Sequence, residues 1–487
     1  MSLGGSIRHS AKWVLGGNVM GQALQFAVGV VLARLLAPAD FGMLVTIQIF
    51  TGLAGFVSGA GMGQALVQAK DVQERDFQVV FTIQLAIGLM IYTVFFLIAP
   101  WFATWFNNPL YADLLRVSAL SFILRPFATL PNASMNRDMR FKERTVVGFF
   151  CGIVGGGVSI VMAWNGMQVW SLIAGGMAGT VLGIVLLTPM VRVRPALRID
   201  KAIAMRLGSY GFKTTLNDLV CYVRSQAANF VLSRLGGPAV VGLYNKADSL
   251  AKTPSIISGS INDPVFRGLS KIQENKDQSR YLYFRTITLL TVYMLPVYVG
   301  LAWLAEPFIQ VVYGPKWVEA AAPLSILCLG GLFVCIGHPS GAVLAAQNWL
   351  GREAVVQTIN LFVVVIACLL GLKWGLTGVA WGMLIAHAYS TLHMNWLVNR
   401  CIGANFQDLL RSLVPGLILN ALLVATLLVL EALLPQAVYA QHPAVYLLAM
   451  SAAGAMVYAL AFLFLPLPAL SSESIRWKRK LGLSASV

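Results

Sequence analysis

Arg206, Tyr210, Lys213, Asn217 and Arg224 follow one another at spacings of 4, 3, 4 and 7, which sets them along one face of an α-helix. Asp218 lies beside that stripe. The next apolar segment carries Asn245, Lys246, Asp248, Ser249 and Lys252, then Asn262 and Asp263 near its far end. Arg125 stands immediately before Pro126 in another apolar stretch, and Asn18, Gln22 and Gln25 share a face of the first. Thr46, Gln48, Thr51, Ser58 and Gln64 mark the second. An ionisable side chain at mid-bilayer costs at least about 2.5–3.5 kcal/mol, so such residues face a partner or a hydrated cavity. Internal pairs such as Lys213–Asp218 or Lys246/Lys252–Asp248 would make some of them glue between helices. Pairing leaves an excess, because Arg125, Lys213, Arg224, Lys246 and Lys252 outnumber Asp218 and Asp248 five to two. A cationic cavity suits an anionic ligand, and a guanidinium matches phosphate oxygens bidentately. Asp218, Asp248 and Asp263 are weaker candidates for ion coupling.

What must position these residues is a stack of membrane-spanning helices. The 487-residue chain is 58% apolar and 11% charged, against roughly 25% charged in a soluble domain. Its mean hydropathy is +0.74. Apolar runs of helical length recur throughout, and the ten-residue alternation of a membrane β-barrel does not. Spans are expected near 13–36, 41–67, 79–106, 112–134, 145–165 and 168–190. A second set falls near 207–234, 240–265, 284–310, 320–346, 353–372 and 375–399, followed by 409–434 and 443–467. The expected fold is an all-α polytopic membrane protein of 14 transmembrane helices. The start, with Asn18, Gln22 and Gln25 and no small-residue cleavage site, reads as a retained first span.

Charge placement orients the spans. With the N-terminus cytoplasmic, 25 of the 35 Lys and Arg fall on the cytoplasmic side, four opposite (Arg34, Arg234, Lys316 and Lys373) and six within spans. This bias places both termini in the cytoplasm and accounts for the net charge of +16 without nucleic acid.

Val31–Gly42 reads VLARLLAPADFG and Val231–Gly242 reads VLSRLGGPAVVG, identical at seven of twelve positions. Ser58-Gly59 recurs as Ser258-Gly259, Gln73-Glu74 as Gln273-Glu274, and Lys142-Glu143 matches Arg352-Glu353. Six helices, an even number, separate the copies, so both enter the membrane in the same direction. The reading is a parallel repeat: residues 1–200 as one lobe, 201–405 as a second, and 406–487 as two further helices with a basic tail. Transporters bind substrate between such halves. Arg34 and Arg234 end equivalent helices on the periplasmic side, as interfacial anchors or, in a sharper reading, as a gate. Gly59-Ala60-Gly61 and the prolines at 126, 131, 254, 264, 296 and 339 suit bent helices, whereas Gly155-Gly156-Gly157 reads as close helix packing.

Several activities lack their residues. There is no GxxxxGK[ST] loop for an ATPase. The six cysteines form no CxxC or Cys/His pattern. His387 and His393 are six apart, poor metal geometry, so neither a metal nor a cofactor is expected. No long extracytoplasmic loop or carboxylate pair suggests a glycosyltransferase or polymerase.

The helix end LARLLAPADFGMLV, with RDMRFKERTVV (Arg137–Val147), VWSLIAGGMAGT (Val169–Thr180) and VGLYNKADSL (Val241–Leu250), resembles the Wzx-type polysaccharide flippases over essentially the whole chain. These belong to the multidrug/oligosaccharidyl-lipid/polysaccharide exporter superfamily, and the similarity is greatest to the colanic-acid-type exporter branch. The resemblance implies a V-shaped pair of six-helix lobes and alternating access. It implies that an undecaprenyl-pyrophosphate-linked oligosaccharide is carried across the bacterial inner membrane by a monomer, with a downstream polymerase complex as a partner. It places the pyrophosphate on Arg125, Lys213, Arg224, Lys246 and Lys252. Asn18, Gln22, Gln25, Asn217 and Tyr210 are the expected sugar contacts. A cation-coupled multidrug exporter of the same fold is the alternative, which the excess of positive charge opposes. A major-facilitator transporter would carry a GxLxDRxGRR-like loop where this chain reads AKDVQERDF.

Overall fold

The structure, a computed structural model, describes residues 3–59, 61–69, 71–259, 262–433 and 441–483, with side chains from residue 16 onward except at 18, 208–218, 220, 256–258 and 262–263. Among the described residues the regular structure is entirely helical. The chain falls into two compact units, Met1–Gly242 and Leu243–Val487.

The first unit holds α1 (Leu3–Leu35), α2 (Pro38–Gly59), α3 (Met62–Gln68), α4 (Glu74–Trp105), α5 (Leu110–Arg137), α6 (Phe141–Trp164), α7 (Gln168–Leu187), α8 (Lys201–Leu235) and the start of α9 (Pro238–Gly259). The second holds the rest of α9, then α10 (Asn262–Lys271), α11 (Lys276–Trp303), α12 (Ala305–Val312), α13 (Ala321–Ala346), α14 (Leu350–Gly371), α15 (Gly375–Ile402), α16 (Phe406–Leu433), α17 (Pro443–Phe464) and α18 (Ser471–Lys480). Ten helical stretches among the described residues are long and apolar enough to cross a membrane, one of them, Leu350–Ile402, covering both α14 and α15. The long helices outside that set are α1, α8 and α9, the three that carry most of the intramembrane polar residues.

Each expected span meets one long helix, except three that meet two: 41–67, 240–265 and 284–310, the last of which is divided at Leu304 between α11 and α12. The span expected near 41–67 divides into α2 and α3, where Gly61 takes the left-handed conformation at φ 61° that a side chain resists. The span near 240–265 falls on α9 and α10, and residues 260–261 between them lie outside the described residues. Prolines 126, 131, 254, 296 and 339 sit inside continuous helices.

The ends of α3 and α10 are closed by residues that lie 210 positions apart. Arg137 Nη1 donates to the carbonyls of Leu66 (3.1 Å) and Ala69 (2.6 Å), closing the C-terminal end of α3. Gln347, 210 residues on, donates through Nε2 to the carbonyl of Gln273 (2.9 Å), just past the end of α10. Turns with positive φ follow α5 and α13 at Met139 (55°) and Asn348 (58°), and both satisfy carbonyls that a helix end leaves open.

In the first unit α4 packs on α5, α6 on α7 and α1, and α8 on α2, α3 and α4. Its core includes Ile47, Phe102, Tyr111, Leu114 and Phe122, all nearly inaccessible. The helix α8, expected to open the second lobe at residue 201, is part of this compact unit. Gly155 packs against the Gly175 carbonyl and Gly156 against Val28, the close helix packing expected of that run. In the second unit α13 and α15 pack together, flanked by α11 and α14, with Tyr283, Ile287, Val343, Leu344 and Val398 in the core.

Candidate functional site

Arg125 lies midway along α5 with its guanidinium against α2 at Gly55 and Gly59, one helical turn apart. A Cβ on Gly55 would stand 2.7 Å from Nη1, and one on Gly59 would stand 3.5 Å from Nη2. The guanidinium therefore occupies a notch that exists because those positions lack side chains. Among the described residues the Arg125 side chain has no carboxylate or hydrogen-bond partner, and it is exposed. It borders two cavities of the first unit. One, of about 510 Å³, is lined by Gln48, Thr51, Gly52, Ser121, Phe122, Ala128, Thr180, Tyr222 and Gln226 as well as Arg125. The other, of about 440 Å³, is lined by Gly63, Gln64, Val67, Gln68, Thr129, Asn132, Asn136 and neighbours. Among the described residues, no Asp or Glu lines either. The arrangement leaves one positive charge, without a carboxylate partner among the described residues, between two polar hollows.

Tyr222 fixes α8 to this wall. Its hydroxyl donates to the Gln48 carbonyl (2.8 Å) and lies 3.2 Å from that of Ile49; Gly52 leaves room for it. The Phe56 and Tyr222 rings lie 5.2 Å apart. Arg224, half-buried, is two residues beyond Tyr222 and so about 200° around the helix. It does not line the Arg125 cavities. Arg206, the stripe's first member, is an ion-pair partner of the buried Asp76. Tyr210, Lys213, Asn217 and Asp218 lie outside the described side chains, as do Asn18 and Asp263. Gln25 borders a separate hollow of about 740 Å³ between α1, α6 and α7, and Gln22 is exposed. Arg34 and Arg234 are exposed in the last turns of α1 and α8, where a cation favours the carbonyl end of a helix.

In the second unit Lys252 Nζ meets Asp248 Oδ2 at 2.5 Å, an i,i+4 pair on α9 whose acid is nearly buried and whose base is half exposed. Lys246 Nζ sits 4.5 Å from the centre of the Tyr313 ring and 5.4 Å from that of Trp317. Trp317 is fully buried. Both lysines thus have internal partners, the pairing that spacing alone offered as the alternative to ligand binding. Of the five expected cations, Arg125 and Arg224 have no side-chain partner among the described residues.

Residues 31–322 match the family described as polysaccharide biosynthesis protein. The chain belongs to this family. Among curated relatives, it is 23% identical over 418 residues to the lipopolysaccharide biosynthesis protein WzxC of Escherichia coli (strain K12), covering 85% of each chain. Among solved structures, its fold is similar to the lipid II flippase MurJ in an inward closed conformation, with a TM-score of 0.73, 16% identity, and 97% and 99% of the two chains covered. It is also similar to a multidrug resistance transporter in an inward-facing conformation, with a TM-score of 0.64, 14% identity, and 79% of this chain and 94% of that one covered. At these identities the structural likenesses establish the fold.

Some residues around Arg125 went unnoticed in the sequence. Ser121 and Thr180 are isolated hydroxyls in apolar runs, and intramembrane polarity was their only signal. Tyr222 and Gln226 share an i,i+4 face of α8 with each other and lie off the cationic stripe. Tyr313 and Trp317 lie some seventy residues beyond Lys246, where no local spacing points to them.

Proposed function

We propose that this member of the polysaccharide biosynthesis family is a flippase that carries an undecaprenyl-pyrophosphate-linked oligosaccharide across the bacterial inner membrane. In this reading the protein is a multi-pass monomer of fourteen spans. Two parallel six-helix lobes and two further helices make up the spans, both termini are cytoplasmic, and transport proceeds by alternating access. The substrate is delivered on the cytoplasmic side and handed to a polymerase complex on the other.

The observation that supports it is the Arg125 guanidinium, held in the Gly55/Gly59 notch at the border of two cavities that no carboxylate lines among the described residues. A cation-exporting cavity would place an acid there. A bidentate donor with no counter-ion among the described residues is the chemistry that receives a phosphate oxygen pair. Lys213 joins it in this reading, and Arg224, which does not line the Arg125 cavities, contributes field more than contact. Lys246 and Lys252, which have internal partners, contribute field more than contact, and Asp248 acts first as the partner of Lys252. The test is polymer export in cells whose own exporter is deleted, with Arg125→Ala and Arg125→Lys at matched protein abundance. Wild-type export by Arg125→Ala would overturn the reading.

A further inference from the structure

The cavity on one side of Arg125 has a hydrogen-bonding inventory that is neutral and two-sided. Thr51 Oγ1 donates to the Ile47 carbonyl (3.0 Å), Ser121 Oγ to that of Ser118 (2.7 Å) and Thr180 Oγ1 to that of Gly176 (2.9 Å). Each hydroxyl spends its proton on its own helix and turns only acceptor lone pairs to the cavity. The Gln226 amide oxygen accepts from Asn229 Nδ2 at 2.8 Å, which leaves its N–H groups as donors. The Gln48 side-chain amide has no partner among the described residues and offers both functions. These groups come from α2, α5, α7 and α8, so their positions are set by packing and not by one flexible loop. The Tyr222 ring, fixed through its hydroxyl, adds an apolar face to the same wall.

A hydroxyl of a sugar both gives and takes a hydrogen bond, and each pyranose ring presents several. An alkyl chain would leave these acceptors and donors unmet, and a cation would meet Arg125. The cavity's volume of about 510 Å³ lies in the ~300–1,000 Å³ range of small-molecule sites. We propose that this hollow is a glycan subsite, in which Gln48, Thr51, Ser121, Thr180 and Gln226 hold the sugar next to a pyrophosphate seated on Arg125. The proposal rests on the reading of Arg125 as the pyrophosphate anchor and adds to it the part of the ligand that gives specificity.

The test is binding by the full-length protein in nanodiscs. Three probes are compared: farnesyl pyrophosphate, and farnesyl pyrophosphate carrying glucose or galactose on its terminal phosphate. Two or three neutral hydrogen bonds predict that at least one sugar-bearing probe binds wild type on the order of tenfold more tightly than the bare one. A Thr51→Val/Thr180→Val/Gln226→Leu variant brings that ratio to near one. Thr180→Val alone, at an exposed position, gives an intermediate ratio and serves if the triple variant does not fold. Equal binding of all three probes to wild type, or a wild-type ratio in the variants, overturns the subsite. Arg125→Ala weakens all three probes together. Unchanged binding by Arg125→Ala would instead overturn the anchor, a result separate from the sugar ratio.

Discussion

Gly42 and Gly242 meet at the N-terminal ends of α2 and α9, each beneath the carbonyl of the proline that opens the other's helix. A Cβ on Gly42 would lie 1.7 Å from the Pro238 oxygen, and one on Gly242 would lie 1.9 Å from the Pro38 oxygen. The contact is reciprocal, and it involves backbone on both sides that cannot rotate away. Gly42→Ala and Gly242→Ala are each expected to destabilise the protein by about 1–3 kcal/mol, the range for overpacking a tight contact. Thermal unfolding in detergent measures this. Gly29→Ala, where a Cβ meets nothing within 4 Å, is the control and should unfold at or slightly above the wild-type temperature. If Gly42→Ala matches that control, the two helix ends do not touch.

Arg125→Ala is expected to lower export at least tenfold, since charge-assisted bonds are worth about 1.5–3 kcal/mol each. Arg125→Lys keeps the charge and loses the planar fork, so it should recover only part of the activity. Gly55→Ala places a methyl 2.7 Å from Nη1 and should act in the same direction, by displacing the guanidinium without removing it. Export assays at equal abundance check the series. A Gly55→Ala protein with wild-type export would show that the notch does not set the position of Arg125.

The helices were legible because apolar runs of this length have few other solutions, and even the polar α1, α8 and α9 were visible from their flanks. The break between α2 and α3 was marked by Gly59-Ala60-Gly61, although a single span was expected there. Within the site, Arg125 announced itself as a lone charge in an apolar run. The pairing of Lys252 with Asp248 was open because i,i+4 spacing is local. Partners distant in sequence were not visible: Arg206 joins Asp76 from 130 residues away, and Lys246 finds Tyr313 and Trp317 through the fold alone. The repeated motif drew attention to its arginines, yet its proline and glycine form the described contact between the two copies.

Lys252 and Asp248 can be tested as a pair. Removing the acid alone leaves the lysine beside a nearly buried site, so Asp248→Asn should destabilise by about 1–3 kcal/mol. The double variant Asp248→Asn/Lys252→Gln should be more stable than the sum of the two single changes, by about 1 kcal/mol because Lys252 is half exposed. A double-mutant cycle on thermal unfolding measures the coupling. Strict additivity would mean that the lysine is not engaged with Asp248 and is available to a ligand.

Asp76 does two jobs that substitution can separate. It is buried at the first turn of α4, where its Oδ2 accepts from the Gln73 backbone N–H at 2.8 Å as half of a capping box, and its Oδ1 accepts from Arg206 of α8. Asp76→Asn keeps an oxygen for the cap and loses the charge that holds Arg206. Asp76→Ala loses both. The cap is worth about 0.5–2 kcal/mol, so the alanine variant should unfold below the asparagine variant by that margin. Arg206→Gln should resemble Asp76→Asn, and because Arg206 is more than half exposed its effect should be about 1 kcal/mol or less and should shrink as salt rises. Equal stability of the asparagine and alanine variants would assign the whole contribution to the ion pair, and the capping box would then contribute nothing measurable.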